Sequence, residues 1–147
     1  MEKFFYEKKL TITLIFIISI TLGLQLNAQN VIKFKSTDIA FKKISENGEW
    51  KDWTEWEETK VLIVYESEKE RIKIYSKETQ IFDIAEDEGV KINDNKEKIY
   101  SFFCVDRNGA QCRLKLWKRY FKSGNTYYQL YIHYNDYQYV YNIDVID

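Results

Sequence analysis

The chain has 147 residues, 17% of them aromatic and 31% charged, with 22 Lys and Arg against 23 Asp and Glu for a formal charge of −1. That length is one domain's worth, and so even a balance argues against the concentrated basic face on which nucleic-acid binders depend. One histidine and two cysteines exclude schemes that need two imidazoles and fall short of a structural zinc site.

The first segment reads as an address. Lys3, Lys8 and Lys9 make a basic start, Leu10 to Leu24 is an uncharged apolar run, and Leu26-Asn27-Ala28 places a small residue where a leader peptidase cuts. A secretory signal is predicted over 1–28, leaving one domain at 29–147 in the periplasm or outside the cell. A retained anchor is the rival reading, because about 17 to 25 apolar residues span a bilayer. The run is at the short end of that range and is diluted by Thr11, Thr13, Ser19, Thr21 and Gly23. No cysteine lies near the cut, so a lipoprotein is not indicated. Removal of Lys3, Lys8, Lys9, Glu2 and Glu7 with the leader leaves 19 basic and 21 acidic residues.

Beyond the leader the hydrophobic signal has period two. Strands are predicted over 31–35, 39–44, 61–65, 71–75, 80–85, 98–106, 110–118, 127–134 and 137–145, each rich in β-branched and aromatic residues. Polar clusters such as Asn47-Gly48, Glu66 to Glu70, Asn93 to Lys96 and Ser123-Gly124-Asn125 separate them. No helical segments alternate with the strands, which disfavours parallel α/β folds. The fold class is therefore all-β, an antiparallel meander of eight or nine strands. Strictly sequential turns favour an up-and-down barrel, similar in outline to lipocalins though without their signature motif, over a β-sandwich.

Two hairpins can be registered. A type I turn over Asp106-Arg107-Asn108-Gly109, with Gly109 left-handed, pairs Cys104 with Cys112, Phe102 with Leu114 and Tyr100 with Leu116 on one face. A two-residue Asn-Gly turn would mix apolar and charged groups on both faces, so burial selects the first register. In an oxidising compartment the opposed Cys104 and Cys112 are expected to form a structural disulfide, with two buried thiols or a redox pair as alternatives. Its loop is short, so it would contribute only about 2 to 3 kcal/mol. In the last hairpin, turning at Asn135-Asp136, Tyr128, Leu130, Ile132 and Tyr134 share a face with Tyr137, Tyr139, Tyr141 and Ile143. Gln129, Tyr131, His133, Gln138, Val140 and Asn142 form the wetter side.

Charge is unevenly spread: Glu46 to Glu88 carries fourteen acidic residues against six basic, and Lys91 to Lys122 nine basic against three acidic. Strands of opposite charge pairing across the sheet would account for this. Glu86-Asp87-Glu88 and Asn93-Asp94-Asn95 lack the spaced oxygens and glycine of an EF-hand and read as solvated turns. No metal site, phosphate loop or dinucleotide fingerprint is present, and no cofactor is implied. His133 on a polar strand face reads as a surface or ligand-facing group. The Asn-Ala-Gln junction and the aromatic, Lys-rich remainder resemble small exported proteins of unassigned function from Bacteroidetes-type bacteria, a resemblance that carries no catalytic motif.

The expected function is noncatalytic binding of a small apolar or aromatic ligand, a glycan or a protein, because 21 aromatic residues follow the leader. Trp50, Trp53, Trp56, Tyr131 and His133 are the candidates for lining a cavity at a barrel mouth. Two alternatives stand. One is a periplasmic interaction module, such as an inhibitor or immunity protein, that uses the acidic half. The other is a hydrolase built on Glu55, Glu57 and Glu58 beside the tryptophans.

Overall fold

Alternating apolar and polar residues can bury one face of a meander only by curling it, and the computed structural model, which describes residues 30–146, shows that outcome. The leader predicted at 1–28 lies outside the described residues. Nine strands follow in chain order: β1 (Val31–Lys43), β2 (Glu57–Glu58), β3 (Leu62–Glu66), β4 (Arg71–Tyr75), β5 (Thr79–Ile92), β6 (Lys98–Asp106), β7 (Gln111–Tyr120), β8 (Thr126–His133) and β9 (Tyr137–Ile146). Apart from β2, each pairs antiparallel with the next, and β9 returns to pair with β1 from Lys33↔Ile146 to Lys43↔Tyr137, closing an eight-stranded up-and-down barrel. The two-residue β2 is an addition beside the second half of β1.

Two predicted elements merge and one lengthens. The segments at 31–35 and 39–44 are a single strand with a bulge at Thr37, where the pairing with β9 slips by one residue between Ser36 and Asp38. The sequence carries this slip as a change of apolar phase, from Ile32 and Phe34 to Ile39 and Phe41. Each bulge reverses which face the following residues take. Without it Asp38 would enter the core; with it Asp38 faces out and Ile39 packs inward. β5 runs on through the acidic cluster to Ile92, with register shifts between Ile84 and Glu86 and between Asp87 and Val90. Glu86-Asp87-Glu88 is thus strand and not the expected turn, because its backbone pairs with β6. The first shift aims Asp87 into the barrel, and Gly89, at φ +80°, takes the strained position of the second.

The two registered hairpins are as expected, with Cys104↔Cys112, Phe102↔Leu114 and Tyr100↔Leu116 in one and Leu130↔Tyr141 and Ile132↔Tyr139 in the other. Gly109 has φ +83°. The disulfide, however, is not formed: Cys104 and Cys112 are free, buried thiols. Counting along the ladder from the Asp106 N–H bond to the Ala110 carbonyl, the cysteines fall at a hydrogen-bonded pair. At such a pair side chains stand farther apart than at a non-hydrogen-bonded pair, although a Cα spacing of about 5.5 Å is itself within a disulfide's reach. The Cys104 thiol instead points along its own strand, 3.8 Å from the Phe102 carbonyl.

Phe34, Ile63, Ile74, Phe82, Leu114, Leu130 and Ile132 fill the interior at no more than 5% exposure. Each such side chain contributes about 1.5 to 3 kcal/mol on burial. One end of the barrel is floored by tyrosines. Tyr139 donates to Gln80 Oε1 at 2.5 Å, Tyr134 donates to Asp106 Oδ2 at 2.8 Å, and the Tyr134 and Tyr137 rings stack at 4.4 Å.

Candidate functional site

The opposite end is open. A cavity of about 430 Å³ enters the barrel there, where β1, β4, β6 and β8 begin and β3, β5, β7 and β9 end. Its walls are apolar and aromatic, with Phe34, Ile63, Ile72 and Leu130 deepest, and Ile32 and Val145 exposed at the rim. Inward parity explains the lining: each strand continues its core-facing stripe past the packed layers to the mouth.

Polar groups are few. Tyr65, Tyr100 and Tyr128 are half-buried in the wall, and none of their hydroxyls hydrogen-bonds to another described residue. The hydroxyls of Tyr131, Tyr134 and Tyr139 by contrast are each satisfied by a side chain. Burial, followed by the Asp87 and Glu70 charges, pushes the Tyr65 phenol above its ordinary range. Lys118, the inward residue after Cys112, Leu114 and Leu116, brings a cation to the rim. Lys98 sits directly opposite it on β6, and neither pairs with a carboxylate among the described residues. Asp87 is the acid on the same lining.

The residues expected to line the mouth do not. Trp50, Trp53, Trp56, Tyr131 and His133 all lie on the outside, because the chain after β1 doubles back along that strand's outer edge. Lys51 N–H bonds to Lys43 O and Thr54 N–H to Phe41 O. Trp53 meets Tyr131 edge-on at 6.1 Å, Tyr131 stacks with His133 at 5.8 Å, and the Lys42 ammonium stands 5.2 and 4.8 Å from the Trp50 and Trp53 rings. Reaching Tyr131 from beyond β1, Trp53 crosses Ala40 and Val140, whose exposures of 0% and 2% on an outer face need such a cover. Burial, then the Lys115 and Lys42 charges, lowers the His133 pKa to about 4, so the ring is neutral at pH 7. Trp53, Tyr131 and His133 are therefore brought together as packing. Glu55, Glu57 and Glu58 are exposed and line neither the cavity nor the cleft described next.

A chain of polar side chains crosses the outer face of β7, β8 and β9. Glu97, 7% exposed, accepts from Asn93 Nδ2 at 2.8 Å, Trp117 Nε1 at 3.2 Å and Arg119 Nε at 3.1 Å. Arg119 also donates to Gln129 Oε1, which takes the Tyr131 hydroxyl too, and Gln129 Nε2 donates to Asn142 Oδ1 at 2.9 Å. The Asn93 hydrogen bond and the Arg119 guanidinium hold the Glu97 carboxyl below its usual range despite burial. The chain ends in an outer cleft of about 420 Å³ that Trp56 shares with Phe121 and Tyr127.

No protein-family model, curated protein or solved structure matches this chain.

Composition alone did not point to Tyr65, Tyr100, Tyr128, Asp87 and Lys118. Parity marks Tyr100, Lys118 and Tyr128 as inward ends of apolar stripes; Asp87 is legible only once the shift after Ile84 is known.

Proposed function

We propose that this chain is a noncatalytic binding protein for a small amphipathic molecule, exported by the leader expected at 1–28. The observation that carries the reading is the mouth cavity, whose apolar walls are interrupted by three tyrosine hydroxyls without partners among the described residues and by the Lys118 ammonium. Pockets of this size and composition hold an apolar body and orient it by a few polar contacts. Opposed Lys98 and Lys118 repel one another across the rim, and an anionic or strongly polar end of the ligand would relieve that repulsion. Binding is favoured over catalysis because His133, the single histidine, lies outside the cavity and the residues lining the cavity include only Asp87 and Lys118 as ionisable side chains besides tyrosines.

Titration with N-phenyl-1-naphthylamine, a neutral apolar fluorophore, tests the cavity. One saturable site is expected, weakened about tenfold or more by Leu116→Trp, which fills the mouth while leaving the floor intact. An unchanged melting temperature confirms that the variant is folded. Absence of saturable binding, or equal binding by the folded variant, rejects the reading.

A further inference from the structure

The outer cleft opens on the face away from the barrel interior, with Tyr128 and Ile143 lining both, and we propose that it binds a neutral saccharide. Its two sides are aromatic: Trp56, 46% exposed, and Phe121, 54% exposed, whose ring packs on Tyr127 at 4.4 Å. Between them lie Asn142, Gln129 and the carboxylates of Asp38 and Asp144.

The polar chain fixes what this floor presents. Arg119 can only donate, so the Gln129 atom it meets at 3.0 Å is the carbonyl oxygen, which also takes the Tyr131 hydroxyl. The Gln129 NH₂ must then face Asn142, and the Asn142 atom receiving it at 2.9 Å must be Oδ1. The Asn142 NH₂ is left as a donor with no partner among the described residues. Gln129 is only 6% exposed, so this orientation is held by packing as well as by hydrogen bonds. Beside it Asp38, turned outward by the bulge at Thr37, uses Oδ2 for the Thr37 hydroxyl at 2.7 Å and leaves Oδ1 as an acceptor. Asp38 stands opposite Asn142 in the β1–β9 ladder.

A planar amide donor next to a carboxylate acceptor matches adjacent hydroxyls on a sugar ring, each of which both gives and accepts a hydrogen bond. The aromatic faces match the apolar C–H face of the same ring. Other occupants fit less well. An anion would meet Asp38 and Asp144, an apolar ligand would desolvate both carboxylates without replacing their hydrogen bonds, and a cation would meet the Asn142 N–H groups.

The test uses the chain after leader removal and a panel of neutral di- and trisaccharides of glucose, galactose, mannose and N-acetylglucosamine, read by tryptophan fluorescence and calorimetry. At least one is expected to bind saturably below about 10 mM, which is ordinary for a shallow two-sided site. Trp56→Ala and Asn142→Ala should each weaken it about tenfold, while N-phenyl-1-naphthylamine binding in the mouth is unchanged, so that the two sites fail independently. Trp56 is exposed and its replacement leaves the barrel folded. Binding by no sugar of the panel, binding that both variants retain, or salt-sensitive capture of choline in place of sugar overturns the proposal.

Discussion

Tyr139 on β9 and Gln80 on β5 stand on opposite walls of the barrel and meet through its interior, the phenol donating to the amide oxygen at 2.5 Å. Three strands separate them on either side, so this bond ties the halves of the closed sheet where no ladder can. Tyr139→Phe keeps the ring and removes the donor, leaving the half-buried Gln80 oxygen short of one partner. The expected loss is about 1 to 2 kcal/mol in urea unfolding, with naphthylamine binding at the far end unchanged. Stability equal to that of the parent protein would show that the strut carries no energy.

His133 makes the fold acid-sensitive. Its pKa is depressed to about 4 in the barrel, chiefly by burial and then by Lys115, Lys42 and Arg113, with Gln138 opposing them. An unfolded histidine titrates near about 6.5. The unfolded chain therefore takes up a proton first as pH falls, and the stability contributed above that value is lost between about 6.5 and 4. Half-exposure and screening reduce the effect to about 1 to 2 kcal/mol. His133→Gln should flatten that part of the stability profile in urea titrations at pH 7 and 4.5. Parallel losses in variant and parent would assign the acid sensitivity elsewhere.

Burial pushes the Cys104 thiol up to about 12 and the Cys112 thiol to about 11, in each case with a smaller contribution from neighbouring negative charge. Thiolate is the reactive form, so neither cysteine should be alkylated by iodoacetamide in the native protein at pH 8. Both should react once the chain is unfolded in urea without reductant. An intact mass two hydrogens light, persisting through unfolding, would show the two thiols joined instead of free.

Glu97 gathers three donors on the outer face, and Arg119 is its only cation among the described residues. Glu97→Gln retains the shape, removes the charge and turns one acceptor oxygen into a donor against Arg119 or Trp117. The expected cost is about 1 to 3 kcal/mol. Because folding lowers this carboxyl's pKa, its contribution is present above about pH 4.3 and disappears as pH falls through the folded value, so the variant should differ least in acid. A penalty below about 0.5 kcal/mol at pH 7 would reduce the network to ordinary surface contacts.

Legibility varied with the range of the interaction. The β6–β7 and β8–β9 registers could be read from turn chemistry and parity, because a one-residue slip there moves leucines and tyrosines to solvent. The cysteines faced one another as read, yet the Cys104 thiol turns along its own strand toward the Phe102 carbonyl and both remain free. The tryptophan segment misled because its spacing of three would make one stripe on a helix, but the segment is irregular and its rings fold onto the outside of β1 and β8. Glu86 to Glu88 looked like a turn because three acids in a row suit no isolated strand, whereas pairing to β6 and the Arg113–Glu88 bridge at 2.7 Å hold them extended. That bridge joins the acidic half to the basic one, whereas Arg119–Glu97 lies within the basic half and the other ion pairs of the described residues within the acidic half.

Strand identity, inward parity and the order of the meander follow from side-chain alternation and local turns, which act over a few residues and are written directly in the chain. Closure of β1 on β9, and the choice of Asp87 for the interior and Asp38 for the outer cleft, depended on bulges at Thr37 and beside Ala85. A bulge is settled by fitting two strands whose lengths and twist must match around a ring, a condition met only when all eight are assembled.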